Sequence, residues 1–358
     1  MVTRTRLVDP ERPDPDAIAE AAEVIRRGGL VAFPTETVYG LGANALDADA
    51  VRRLFEAKGR PSTDPLIVHI AHVGQLGQVA SHVPAEARRL ALAFWAGPLT
   101  LIVPKKPSIP DVVTAGLPSV AVRVPAHRVA RALMETAGVP VAAPSANRFS
   151  RPSPTRAAHV LEDLDGRIDL VLDGGPTPIG VESTIVDCTI SPPVLRRPGG
   201  VTREQLLALV PGLVVESRAG EAETAQPAPG QLLRHYAPRA RMTLYEGAPE
   251  AVVERVGLDV RQLAGQGSRV GILAPEEDVM ALAPRIAALA SSGRVMTRAF
   301  GPRRDLVVAA RGLFDAMRAL DAEGPDVMLA IGVGAEAIGA AIHDRLLRAA
   351  EGRIIRVP

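Results

Sequence analysis

Lys58 and Arg60 stand two residues apart in Lys58-Gly59-Arg60-Pro61-Ser62-Thr63-Asp64-Pro65. The chain has 41 Lys plus Arg, yet Lys58, Lys105 and Lys106 are its only lysines. A chain that uses arginine almost everywhere has kept an ammonium at position 58. Lysine offers a compact, strongly hydrated charge and arginine a flat fork of donors. One of each, set in a turn shaped by Gly and Pro, suits a polyanion such as a nucleoside triphosphate. On its own the tetrapeptide reads equally as a solvated basic turn, because short motifs recur by chance.

Other segments carry polar residues that a hydrophobic core does not require. Thr35-Glu36-Thr37 follows a short apolar run and a Pro, and leads into Tyr39-Gly40-Leu41-Gly42, read here as a turn whose backbone N–H groups approach a ligand. His69 lies on the face of a strand that is otherwise apolar. Arg123 interrupts Val120-Ala121-Val122-Arg123-Val124-Pro125, so it is paired, at a strand end, or in a pocket. Ala142-Ala143-Pro144-Ser145-Ala146-Asn147, Ser150-Arg151-Pro152-Ser153 and Val181-Glu182-Ser183-Thr184 add small residues, hydroxyls and an amide. Leu195-Arg196-Arg197-Pro198-Gly199 reads as a further Gly/Pro turn bearing cations. There is no cysteine cluster, no His-x-x-x-His and no Gly-x-x-x-x-Gly-Lys-Ser/Thr. Hydroxyls with Arg and Lys suit a nucleotide and a small polar substrate.

The elements that must hold these residues alternate between helix and strand. Asp14-Pro15-Asp16 predicts a helix start, with Ile18, Ala21, Ala22 and Ile25 as its apolar stripe and Gly28-Gly29 as its stop. Strands are expected at 30–33, 66–70, 99–103, 120–124, 139–143, 169–173 and 184–188. Helices are expected at 47–57, 84–95, 126–137 and 155–164. Thr202-Arg203-Glu204-Gln205 is a capping box before 206–210. Residues 1–215 thus form a mixed α/β domain. The Glu/Ala/Gln/Pro/Gly-rich stretch within 216–240 reads as a linker. It ends in the ligand-like Gln231-Leu232-Leu233-Arg234-His235-Tyr236-Ala237-Pro238, so the same segment reads as a lid. Residues 241–358 alternate strand (241–246, 269–274, 294–299, 327–331, 353–357) and helix (249–257, 278–290, 305–321, 335–350). That pattern predicts a smaller, parallel, Rossmann- or flavodoxin-like domain. It lacks a Gly-x-Gly-x-x-Gly fingerprint, so a dinucleotide site is not expected there.

Bulk properties narrow the function. The 358 residues carry 41 bases against 40 acids, which argues against tight, sequence-independent RNA binding. The single cysteine, Cys188, permits no internal disulfide and no thiolate zinc site, and is expected to be a buried thiol. No apolar run suits a membrane span, and Met1-Val2-Thr3-Arg4-Thr5-Arg6 is not followed by a signal-peptide core. The expectation is a cytoplasmic protein.

Taken in order, the motifs are specific. Phe33-Pro34-Thr35-Glu36-Thr37-Val38-Tyr39-Gly40-Leu41, Lys58-Gly59-Arg60-Pro61, Pro65-Leu66-Ile67-Val68-His69 and Trp95-Ala96-Gly97-Pro98-Leu99-Thr100 come first. Val122-Arg123-Val124-Pro125, Ala143-Pro144-Ser145-Ala146-Asn147, Glu182-Ser183-Thr184-Ile185-Val186-Asp187, Arg196-Arg197-Pro198-Gly199 and His235-Tyr236-Ala237-Pro238 follow. The chain carrying them resembles the threonylcarbamoyl-AMP synthases in their two-domain form, a YrdC-like catalytic domain with a C-terminal domain. The resemblance implies an ATP-dependent nucleotidyltransferase. L-threonine, bicarbonate and ATP would give L-threonylcarbamoyl-AMP and pyrophosphate, with Mg²⁺ carried mainly on the ATP phosphates. The product would pass to a separate transferase complex that modifies tRNA, with direct tRNA binding weak or absent. By the same resemblance Thr35, His69, Arg123, Ala143, Ser145 and Ser183 fall on the threonine side, with Arg123 facing the carboxylate. Lys58, Ser62, Ser119, Asn147, Ser153, Arg197 and Tyr236 fall on the ATP side, with Lys58 and Arg60 at the phosphates as catalytic residues.

Three other readings stay open. An RNA-binding or ribosome-assembly module of the same fold is disfavoured by the balanced charge. A carbamoyltransferase of the hydrogenase-maturation type wants cysteine-rich zinc fingers. An amino-acid adenylating enzyme would release pyrophosphate without bicarbonate.

Overall fold

The computed structural model describes residues 2–215, 228 and 235–358. It divides into two compact units. One takes the described residues up to Phe149 and from Ser153 to Val215, with Ala228; the other takes Ser150–Pro152 and the described residues from His235 to Pro358. Most of the linker and lid expected over 216–240 lies outside the described residues.

The first unit is built on strands β1 (Arg4–Leu7), β2 (Val31–Phe33), β3 (Gly40–Asn44), β4 (Ile67–His69), β5 (Leu99–Pro104), β6 (Ser119–Arg123), β7 (Val141–Ala142), β8 (Leu170–Asp173), β9 (Thr184–Asp187), β10 (Val194–Arg197) and β11 (Val214–Val215). Among the described residues they form one mixed sheet in the order β1-β8-β2-β3-β7-β4-β6-β5-β9-β10-β11. Strand alternation sends Val68, Leu101, Val103, Val120, Val122 and Val186 into a large core with the helix Ala48–Lys58. On the other face, the β1–β7 half is covered by the helices Pro15–Arg26 and Arg128–Ala137. These bury Ile18, Ala22, Ile25, Leu133 and Met134 against Val31, Phe33, Val141 and Leu172. The β4-β6-β5-β9 half of that face carries Ile67 and His69, Ala121 and Arg123, Thr100 and Ile102, and Ile185. The candidate site lies there.

Two local readings are corrected. Gly40-Leu41-Gly42 is not a turn but part of β3, antiparallel to β2 with Val31 opposite Gly42. Glycine is required there by packing, since a Cβ on Gly42 would lie 2.8 Å from both the Phe33 ring and Val141. Arg196 and Arg197 likewise lie on β10, antiparallel to β9, and not in the Pro198-Gly199 turn. Both strands are short and lack an alternating apolar pattern, so periodicity did not reveal them.

The second unit has strands β12 (Arg241–Glu246), β13 (Val270–Ala274), β14 (Val295–Ala299), β15 (Val327–Ile331) and β16 (Ile354–Arg356). They form a parallel sheet in the order β14-β13-β15-β12-β16. The helix expected at 249–257 continues to Gly265. Gly257 costs only about 1 kcal/mol in a helix, and burial of Val260 and Ala264 beyond it outweighs that. The helix expected from 335 starts at Gly339. The capping box at Thr202 forms as expected, with Thr202 Oγ1 accepting from the Gln205 amide.

Candidate active site

Arg123 is the centre of the site. It ends β6, beside His69 of β4 and Thr100 of β5, and is only 4% exposed. Nε donates to the Gly97 carbonyl at 3.3 Å, Nη1 to Thr37 Oγ1 at 2.9 Å, and Nη2 to Glu36 Oε1 at 2.6 Å. A guanidinium has five N–H donors, so two remain for a ligand. The Trp95–Thr100 motif serves this residue: the Gly97 amide bonds to Val124 O, which aims the Gly97 carbonyl back at Arg123.

The Thr35-Glu36-Thr37 segment is fixed by its own hydroxyls. Thr35 Oγ1 donates to Val38 O at 2.6 Å and accepts from the amides of Thr37 and Val38. It also lies 2.8 Å from Thr37 Oγ1, so Thr35 joins Arg123 through Thr37. His69 is buried, with Nδ1 3.2 Å from Ile67 O. Burial, then the Arg123 charge, pushes its pKa down to about 3, against a smaller opposing effect of the Ile67 and Val141 backbone. The ring is therefore neutral at ordinary pH.

Beyond Arg123 the site continues through Thr100, whose hydroxyl lies 2.8 Å from Ser183 Oγ. Arg197 grips Ser183, donating from Nη2 to its carbonyl at 3.0 Å and its hydroxyl at 3.3 Å. Ser153 Oγ bonds to the carboxylate of the adjacent Glu182.

Lys58 ends the helix Ala48–Lys58, which stops because Gly59 adopts φ +63° in the left-handed region. Its Nζ donates to Ser145 O at 2.5 Å and to Asn147 O, tying this helix to the loop after β7. That loop is also joined to β3: Leu41 N bonds to Pro144 O, and Ala146 N to Tyr39 O. Ala143 N bonds to Ile67 O at 2.9 Å, beside His69. Arg60 turns into its own loop, donating to Asp64 O at 3.0 Å and Pro65 O at 2.9 Å, with the Asp64 carboxylate 2.9 Å away. Ser62 is exposed. Ser119 starts β6 on the same face as Ala121 and Arg123, opposite Pro104. Between the Arg123 end and Ser119 lies an apolar floor of Ile67, Ile102, Ala121 and Ile185, against which Ala228 is buried.

Of the residues expected at the site, Thr35, His69, Arg123, Ser183 and Arg197 form one connected group, and Lys58, Ser145 and Asn147 another. Tyr236 belongs to the second unit, where it is buried with its ring 5.5 Å from Phe314 and 5.3 Å from the Arg345 guanidinium. Sequence reasoning passed over Glu36, Thr37, Thr100 and Glu182. Each sits inside a quoted motif, and an acid next to two threonines in an otherwise apolar run was a usable signal for Glu36. Among the described residues no three His, Cys, Asp or Glu side chains are grouped to hold a metal ion, and no helix is long and apolar enough to cross a membrane.

Residues 23–199 match a family model described as telomere recombination, and 201–351 match the threonylcarbamoyl-AMP synthase C-terminal domain. The chain is 46% identical over 340 residues to the threonylcarbamoyl-AMP synthase of Bacillus subtilis (strain 168), covering 95% of this chain and 94% of that protein. It is 44% identical over 348 residues to that of Pyrococcus abyssi, covering 97% and 98%. The crystal structure of P. abyssi Sua5 complexed with L-threonine matches with a TM-score of 0.91 at 44% identity, over 99% of this chain and all of that one.

Proposed function

The chain belongs to the threonylcarbamoyl-AMP synthase family, and we propose that it joins L-threonine, bicarbonate and ATP into L-threonylcarbamoyl-AMP, releasing pyrophosphate. The observation that carries this reading is the buried Arg123 fork, held by Gly97, Thr37 and Glu36 with two N–H groups left over. It suits an α-carboxylate, and the P. abyssi relative is complexed with L-threonine. Thr35, Ser183 and neutral His69 surround the amino acid, with Ala143 lending its backbone. The nucleotide lies on the side of the site toward Ser119. Its phosphates meet Lys58, Arg60, Asn147, Ser153 and Arg197, with Ser62 at the rim.

In the reaction, bicarbonate takes up a proton and loses water to give CO₂, and the threonine amine adds to it as the nitrogen gives up a proton to solvent, leaving a carbamate. A carbamate oxygen forms a bond to the α-phosphorus as the bond to the β-phosphate oxygen breaks, and pyrophosphate leaves. The protein contributes position and charge: Arg123 fixes one reactant and the cations stabilise the phosphoryl centre. Mg²⁺ bound to ATP would add positive charge at the phosphates. The product is a mixed anhydride, so a cytoplasmic transferase complex acting on tRNA would consume it by acyl transfer to an amine. The near-neutral charge supports handing over the intermediate without tight tRNA binding by this chain.

Pyrophosphate release by the purified protein, with ATP, L-threonine and bicarbonate omitted in turn, tests the reading. Release is expected only with all three. Undiminished release in bicarbonate-free buffer would mean direct amino-acid adenylation instead.

A further inference from the structure

The carboxylate beside Arg123 has a second oxygen that the Arg123 bond does not use. Glu36 is 7% exposed. Its Oε1 accepts from Arg123, while Oε2 is buried with no hydrogen-bond partner among the described residues. An ionised carboxylate accepts at both oxygens, and a buried acceptor left unsatisfied is costly. Nor is the side chain carried by a slack loop. Glu36 O accepts from Ile179 N at 2.9 Å, Thr37 O accepts from Gly180 N at 3.1 Å, and the Thr35 hydroxyl caps the turn.

The geometry points to Glu36 as a second anchor for the amino acid: Oε2 accepts from the α-amino group while Oε1 keeps Arg123 aimed at the α-carboxylate. This rests on the reading of the pocket as a threonine site. Arg123 and Glu36 together are neutral, with a positive fork beside a negative acceptor. An amino-acid zwitterion is neutral with the reverse arrangement, so it pairs both charges without leaving a net charge buried. The contact also survives the chemistry. The ammonium, the free amine and the carbamate each retain an N–H, so Glu36 serves as acceptor before and after the carbon–nitrogen bond forms. A ligand that lacks the nitrogen satisfies Arg123 but leaves Oε2 empty.

Calorimetry with L-threonine and with (R)-3-hydroxybutanoate, which keeps the carboxylate and β-hydroxyl but lacks the amine, tests the assignment. Wild-type protein should bind threonine at least about tenfold more tightly, the scale of one hydrogen bond to a charged group. Glu36→Gln should lose about tenfold or more on threonine and less than about twofold on the deamino analogue. Equal losses on the two ligands would make Glu36 only a brace for Arg123, and an unchanged threonine affinity would remove the assignment. Should Glu36→Gln fail to fold, the wild-type ratio decides alone, and a ratio near one overturns the inference. Wild-type protein that binds no threonine would instead overturn the threonine reading on which it rests.

Discussion

Arg123→Ala separates what this arginine does for the fold from what it does for the ligand. The substitution removes three hydrogen bonds, to Gly97 O, Thr37 Oγ1 and Glu36 Oε1. Its main structural effect is to leave the Glu36 carboxylate buried without its cation. Removing one partner of a buried pair costs about 3–5 kcal/mol, which a urea titration reads as a lower midpoint at constant slope. The double variant Arg123→Met/Glu36→Gln has no buried charge to compensate and should recover most of that loss. Binding behaves differently. Losing a desolvated contact to the carboxylate costs on the order of 2–5 kcal/mol, about 30- to 5,000-fold in Kd, and the double variant does not restore it. Calorimetry should thus find threonine binding lost in both variants, with ATP affinity within about threefold of wild type, a factor worth under 1 kcal/mol. A double variant that regains stability and binds threonine normally would refute the placement of the carboxylate at Arg123.

Lys58→Ala should weaken ATP binding and turnover, and Lys58→Arg should not restore them, because a fork cannot occupy the cradle formed by Ser145 O and Asn147 O; full activity in the Arg variant would mean that charge alone matters there. His69, with its pKa pushed down to about 3 by burial, is neutral when folded but takes a proton when unfolded below its ordinary value. Its contribution to stability is complete above about pH 6.5 and is lost as pH falls toward 3, about 2 kcal/mol between pH 7 and pH 5. Urea titrations at those two pH values should show a smaller drop for His69→Gln than for wild type, and equal drops would contradict a neutral buried ring. Burial, then nearby Asp187 and Glu86, pushes the Cys188 thiol up to about 12. Native protein at pH 8 should therefore resist alkylation that goes readily in urea, and comparable rates in the two would show the thiol to be accessible.

Much of the framework was legible because the first unit's helices and central strands have clean periodicity. The strand over 66–70 is an example: its alternation set Leu66 and Val68 against Ile67 and His69, and the structure keeps that division. β3 was hidden by its glycines, which read as a turn until Phe33 and Val141 press against Gly42. β10 was hidden because two arginines beside Pro-Gly look like a loop. At the site, types and spacing singled out Arg123 and His69 but could not say what holds them. Arg60 shows the limit. It looked like a free phosphate ligand, yet its Nε and Nη2 are turned into Asp64 and Pro65. No local pattern reports a side chain that folds back on its own loop.

The way the cations are held also divides the pocket. Arg123 is matched by a carboxylate, so that end of the site presents a neutral pair, suited to an amino acid whose own charges cancel. Lys58 and Arg197 rest on carbonyl and hydroxyl oxygens, those of Ser145, Asn147 and Ser183. These contacts fix where each cation sits: Arg197 beside the start of β9, and Lys58 where its helix meets the loop after β7. Held in this way, both would be in place before charge moves onto the leaving pyrophosphate.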